Sequence, residues 1–211
     1  CNFIDEVLES ESKMAEVVLP RYHLKSTILG YALPIYRFLT SYGDSLYVSY
    51  KDDLVNIHMH HIKEAVENNS ILNKFMIDLN PRSEANVAYK IGSKKVKMYG
   101  SGIFAMKRGV HTQGVVCVDD ILGTMENPML FTDLEKAERL FNQEVINIPN
   151  PGCPLIVYGT TIDYSDILFK LKDNPQFKVL WLSAVNPDPQ HELLWEDKFD
   201  KKTLDMKKAQ G

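Results

Sequence analysis

The chain has 211 residues, of which 45% are hydrophobic and 25% charged, and a formal net charge of −4. That size and balance suit one soluble α/β-sized domain with its own core, while the acidic balance excludes attraction of a polyanion by mean charge alone. No run approaches the roughly 20 apolar residues of a membrane span, the N-terminus lacks a basic and then apolar leader, and Cys1, Cys117 and Cys153 share no metal-ligand spacing, so an intracellular chain with reduced thiols is expected. Cys1 in place of Met and the lysine-rich residues 201–210 suggest a piece of something longer.

In chain order, residues 14–19 (MAEVVL) read as a first strand, and residues 26–39 as an apolar helix after a polar turn. A second unit follows, with a strand over 45–50 (SLYVSY) and a helix over 52–69 whose first turn carries acid, where the helix dipole favours it. Residues 86–91 and 94–99 flank Gly92-Ser93, a two-residue turn signal between β-prone arms, and predict a hairpin. Short apolar runs at 115–118 (VVCV), 155–158 (LIVY) and 178–182 (KVLWL) suit strands covered on both faces, while 147–154 and 186–189 read as loops. Strands alternating with amphipathic helices predict an α/β domain with a mostly parallel central sheet flanked by helices.

Two short motifs carry chemistry. Lys25-Ser26-Thr27 stands where the first strand gives way to a helix, as a phosphate-binding loop ends. There Lys25 would reach the β and γ phosphates, Ser26 would ligate Mg²⁺, and the helix N-terminus would present free N–H groups. The usual glycines are missing, because Leu19 and Leu24 occupy their places, and a surface lysine beside an N-capping serine is the plainer account of the tripeptide alone. The run 115–118 delivers Asp119 and Asp120 at its C-terminal end, where open α/β sheets bind ligands. Asp119 would be the metal partner and Asp120 the base that polarises water, with a simple turn-opening Asp pair as the alternative. A nucleotide hydrolase needs both halves, which predicts that the two motifs lie on neighbouring strands.

Three further features have plainer explanations. His58 and His61 share a helix face with His60 off it, and a solvated face is expected rather than zinc. Tyr31, Tyr36 and Phe38 lie in the first apolar helix and are expected to pack in the core. Lys95 and Lys97, with Lys94 beside them, share a strand face and either meet DNA or are solvated.

Residues 20–27 (PRYHLKST) resemble the deviant Walker A of phage terminase large subunits, in which an arginine replaces the first part of the glycine loop. Residues 93–109 resemble the family's segment leading to Walker B, Asp119-Asp120 its Walker B acids, and residues 155–161 (LIVYGTT) with Asp163 and Asp166 downstream its coupling motif, in which Gly159, Thr160 and Thr161 sense the γ-phosphate. The resemblance implies a three-layer P-loop NTPase of the ASCE type over residues 1–195, with 196–211 opening a linker toward a C-terminal nuclease that lies outside this chain, so that no nuclease activity is expected of it. It implies ATP and Mg²⁺ at Arg21, Tyr22, His23, Leu24, Lys25, Ser26 and Thr27, Asp120 or the nearby Glu126 as catalytic base, and Arg21 and Arg108 as phosphate-facing arginines, the second reaching a neighbouring subunit. It further implies a motor that drives double-stranded viral DNA into a procapsid in the host cytoplasm, working with a portal protein and a small terminase subunit as a homo-pentameric ring, the isolated domain being a monomer. A nucleotide-independent docking module and a helicase-like ATPase are the alternatives. Leu24 stands at a glycine position of the family, and a positive φ there would cost about 1–2 kcal/mol.

Overall fold

The computed structural model describes residues 2–106, 109–124, 127–161, 166–185 and 193–209. A short amphipathic helix, α1 (Asn2–Glu9), precedes β1 (Met14–Val18). After the loop 19–25 the chain runs through a π-helical segment, Ser26–Ala32, directly into α2 (Leu33–Thr40), so the predicted helix over 26–39 is present but its first turns are wider than α. The remaining elements are β2 (Ser45–Ser49), α3 (Asp52–Glu67), α4 (Leu72–Phe75), β3 (Met76–Asp78), β4 (Asn86–Ile91), β5 (Lys94–Gly102), β6 (Val116–Asp119), the small ribbon β7 (Gly123–Thr124) and β8 (Asn127–Pro128), α5 (Phe131–Gln143), β9 (Leu155–Gly159), α6 (Ile167–Lys172), β10 (Phe177–Trp181) and α7 (Lys201–Ala209).

Among the described residues the main sheet has eight strands in the order β10-β1-β9-β6-β2-β5-β4-β3. Neighbours from β10 to β5 pair in parallel, and the hairpin of β4 on β5, with β3 beyond it, adds an antiparallel edge. Gly92 turns that hairpin at φ 58°, a conformation glycine adopts without strain. Across it Lys90 faces Lys95, which puts Lys90, Lys95 and Lys97 on one exposed face.

Every residue of β2, β6 and β9 is buried, as expected of strands covered on both faces. Alternate residues feed two cores. Ala15, Val17, Tyr47, Cys117, Ile156 and Tyr158 join Phe38 of α2 and Met59 and Ile62 of α3 on one side, whereas Val48, Val116, Val118, Leu155 and Val157 join Phe141 of α5 and Leu171 of α6 on the other. This is the three-layer α/β arrangement, with helices on both faces of a mostly parallel sheet. In the first apolar helix Phe38 is fully buried and Tyr31 packs partly buried against the core, but Tyr36 is 52% exposed and is not a core residue. Among the described residues no helix is long and apolar enough to cross a membrane.

One expectation about the layout is overturned. β1 and β6 are not neighbours, because β9 is inserted between them and pairs with both. Local sequence carries no strand order, and the inserted strand brings a third set of residues, Gly159 and Thr160, to the point where the other two motifs meet.

Candidate nucleotide site

The parallel strands end in register. Val18 of β1 lies opposite Gly159 of β9, and Asp119 of β6 opposite Tyr158 of β9 and Ser49 of β2, so their C-terminal ends form one edge at which the loops 19–25, 120–122 and 160–161 gather. Such an edge is where open α/β sheets hold ligands.

The loop after β1 is built without glycine in conformations that favour glycine. Tyr22 has φ 66° and Leu24 φ 61°, each a left-handed residue costing about 1–2 kcal/mol, so the penalty anticipated for Leu24 is present and is doubled by Tyr22. Both side chains point outward, 65% and 41% exposed, so the strain falls on the backbone and not on packing. Lys25 then returns to φ −48°, ψ −60°, and a left-handed residue followed by a right-handed one is the backbone arrangement that forms an anion-binding concavity. His23 donates through Nδ1 to the Arg21 carbonyl at 2.9 Å and stacks on Phe199, with ring centroids 4.9 Å apart and planes at 21°. Trp195 meets the same imidazole edge-on at 6.1 Å, and Lys198 Nζ donates to the Tyr22 carbonyl at 2.8 Å, so the segment 193–199 braces the loop from outside.

Lys25 and Ser26 point inward to the other two strands. Lys25 Nζ donates to Thr160 Oγ1 at 2.8 Å and to the Pro20 carbonyl at 3.4 Å. Burial lowers its pKa, and the charges of Asp120 and Asp119 work against that. Ser26 Oγ donates to Asp119 Oδ2 at 2.9 Å, and Tyr47 Oη donates to the same oxygen at 2.8 Å. Burial, reinforced by the neighbouring charge of Asp120, pushes the Asp119 carboxyl up to about 7 against those two hydrogen bonds. Asp120, at φ 41°, accepts the Thr160 N–H through Oδ1 at 2.9 Å, and burial raises its pKa against that bond and the Lys25 charge. A Cβ on Gly159 would lie 2.7 Å from Asp120 Oδ1, so the bare glycine is what allows Asp120 to reach the Thr160 amide.

The structure thus brings together Lys25, Ser26, Asp119, Asp120, Gly159 and Thr160. Arg21 and Thr27 are exposed at the margin of the site, as are Tyr22 and Leu24, and Thr161 follows Thr160 half-buried. Asp166 serves as the N-cap of α6, accepting the Leu168 N–H at 3.0 Å. Arg108, Glu126 and Asp163 lie outside the described residues. His58 departs from expectation, because it is buried and not on a solvated face, while His60 and His61 are exposed. Sequence reasoning reaches neither Tyr47 nor the segment 193–199. For His58 the signal is legible, since it shares its helix face with Val55, Met59 and Ile62.

Asp119 Oδ1 is buried without a hydrogen-bond partner among the described residues, and its fellow oxygen faces the Ser26 hydroxyl. No cluster of three His, Cys, Asp or Glu side chains that could cage a metal occurs there. One carboxylate and one hydroxyl fit Mg²⁺, which keeps several waters and takes its remaining oxygens from substrate phosphates.

No protein-family model matches the chain, and no curated protein sequence does. Solved structures do resemble it. The ATPase domain of the large terminase of Thermus phage P74-26 aligns with TM-score 0.53 and 12% identity over 86% of this chain and 80% of that domain. The large terminase of bacteriophage HK97 aligns with TM-score 0.56 and 12% identity, covering 89% of this chain and 38% of that one. The large terminase of thermophilic bacteriophage D6E in complex with ATP-γ-S gives TM-score 0.53 and 9% identity over 98% and 48%. The chain therefore spans less than half of those two full-length proteins. With its helices on both sides of an eight-stranded sheet and β9 inserted between β1 and β6, the chain has the fold of the phage large-terminase ATPase domains.

Proposed function

We propose that this chain is the ATP-hydrolysing domain of a DNA-packaging motor of the terminase type. The observation that carries the reading is the convergence of three strand ends on one point, with Lys25 bonded to Thr160 and Ser26 bonded to Asp119. Lys25 and the backbone N–H groups of residues 21–27 hold the ATP phosphates, with Arg21 at the margin of the same site. Ser26 and Asp119 are the residues that would hold Mg²⁺, which when bound spreads the charge of the phosphate oxygens. Asp120 orients and deprotonates the attacking water, with Glu126 as the alternative base. Thr160, which contacts both Lys25 and Asp120, reads the occupancy of the site, together with Gly159 and Thr161. Residues 1–195 form this domain and those after 195 lead toward a nuclease. In the longer protein, subunits in a ring with portal and small subunit drive double-stranded viral DNA into a procapsid in the host cytoplasm, Arg108 acting on the neighbouring site.

Calorimetry and turnover measurements on the chain and three variants test this. Wild type binds ATP, Lys25→Ala does not, and Asp120→Asn binds but no longer hydrolyses. Equal affinity in wild type and Lys25→Ala, or no binding in either, overturns the site. Loss of turnover with binding intact in Glu126→Gln, and not in Asp120→Asn, transfers the base to Glu126.

A further inference from the structure

His58 joins the buried face of α3 at 3% exposure, yet an imidazole is a poor choice for simply filling a core. Its ring lies between two tyrosines, 3.6 Å from Tyr47 with planes 8° apart and 4.3 Å from Tyr31 with planes 24° apart. Burial pushes its pKa down to about 3, so the ring is neutral and Nε2 spends its one proton on the Gly30 carbonyl at 2.9 Å. Gly30 and Tyr31 belong to the π-helical segment that opens with Ser26. On the other side Tyr47 Oη donates to Asp119 Oδ2, the oxygen that also accepts from Ser26. The contacts close a circuit from Ser26 along the π-helical segment to His58, from His58 to Tyr47, and from Tyr47 through Asp119 back to Ser26.

We infer that Tyr47 is a positioning residue for Asp119, held in place by His58, and that the pair fixes which carboxylate oxygen faces a divalent cation. This rests on the nucleotide-binding reading above. Two donors meet at Oδ2 and, among the described residues, none at Oδ1, so the pair of donors on Oδ2 sets the orientation of the carboxylate. Ser26 can meet the cation through its oxygen lone pairs while its hydrogen stays on Oδ2 beside that of Tyr47. The stack on His58 prevents the phenol ring from swinging away, and the hydrogen bond to Gly30 ties that stack to the segment carrying Ser26. α3 and β2 thereby set the distance between the two residues that would hold the cation, although neither element contributes a ligand.

The test measures Mg²⁺ affinity directly. The 211-residue chain is loaded with a non-hydrolysable ATP analogue and titrated with Mg²⁺ in a calorimeter, and analogue affinity is measured separately in EDTA. Tyr47→Phe keeps the ring and its stack and loses only the donor. It is expected to raise the Mg²⁺ half-saturation about ten-fold to a hundred-fold, the range for a buried hydrogen bond to a charged group, while metal-free analogue affinity stays within about two-fold. His58→Phe keeps an aromatic ring between the tyrosines and leaves Tyr47 and Asp119 intact, and is expected to raise it by a smaller factor, about three-fold to ten-fold. It decides the question if Tyr47→Phe does not fold. A purely structural role would lower the melting temperature and weaken binding with and without metal by the same factor, and that result overturns the inference. So does an unchanged Mg²⁺ half-saturation in folded Tyr47→Phe when wild type shows the metal effect, and the nucleotide reading then stands. Absence of Mg²⁺-dependent analogue binding in wild type removes both.

Discussion

Glu16 occupies the middle of β1, between Val157 of β9 and Val179 of β10, fully buried and with both carboxylate oxygens lacking a hydrogen-bond partner among the described residues. Its neighbours on the strand, Ala15 and Val17, feed one core, so Glu16 faces the other, toward α6. Burial, with the charge of Asp166 added and that of Lys172 opposing, pushes its pKa from 4.5 up to about 8. Between those two values the folded chain keeps a proton that the unfolded chain releases, so stability falls as pH rises through that window and is flat below it. At about 1.36 kcal/mol per pH unit the loss is on the order of 5 kcal/mol at most. Glu16→Gln mimics the protonated form at every pH. Denaturant melts of the two proteins are expected to agree near pH 4.5 and to separate by several kcal/mol at pH 9, with the variant more stable. Parallel curves across that range would exclude a buried acid that titrates on unfolding. At the same scale, Leu24 and Tyr22 show why the loop after β1 is hard to read in sequence. The Lys-Ser pair marks it, but the left-handed turn that glycine usually announces is here imposed on two ordinary residues by the strands and the bracing segment around them.

The π-helical segment is the element where local propensity and the observed structure part company. Residues 26–39 read as helix, and helix they form, but no local pattern distinguishes a wider π turn from an α turn, and such turns gather at functional sites. Gly30 provides a physical account of the crowding there. A Cβ on it would lie 2.5 Å from His58 Cε1 and 2.7 Å from the Tyr158 hydroxyl, so the helix can approach α3 and β9 only through a residue without a side chain. Gly→Ala inside a helix normally stabilises by up to about 1 kcal/mol. Here the opposite sign is expected. Gly30→Ala should destabilise the chain by about 1–3 kcal/mol, the usual cost of overpacking, and lower its melting temperature. An increase would mean that His58 gives way freely and that the close packing is not needed. The other elements divide by the same logic. Strands β6 and β9 are legible because burial on both faces writes them as near-continuous apolar runs, β1 and β2 as short β-prone runs, and the hairpin because Gly92 marks its turn, whereas β10, expected to be covered on both faces, is a half-buried edge strand that carries Lys178. The three residues of β3 have no such signature and exist through pairing with β4. Strand order is equally hidden: Lys25-Ser26 and Asp119-Asp120 can be found separately, but that Thr160 arrives between them depends on β9, which only the assembled sheet reveals.

At the scale of the whole molecule, the order of the sheet bears on where a transition-state arginine could come from. Arg108 lies outside the described residues, but the chain leading to it is described: β5 ends at Gly102, a short helical turn follows over Ile103–Ala105, and Met106 packs into the core beneath the sheet. β5 stands four strand positions from β1, past β9, β6 and β2, which at the usual strand spacing is about 19 Å. The chain thus leaves the sheet four strands away from the loop after β1, and on the proposed reading Arg108 acts in trans. An arginine finger stabilises charge that develops on the phosphoryl group and contributes about 10³–10⁵ in rate. On the proposed motor reading, Arg108→Ala is expected to leave the ATP affinity of the isolated chain unchanged and to remove procapsid-stimulated turnover in assembled protein. Mixing separates a finger from a structural residue. Arg108→Ala subunits retain an intact Lys25, and Lys25→Ala subunits retain an intact Arg108, so in a mixed ring some sites meet a competent neighbour and part of the turnover returns, although each variant alone is inactive. Co-assembled mixtures without any recovered turnover would place Arg108 in its own subunit's site or outside the chemistry altogether.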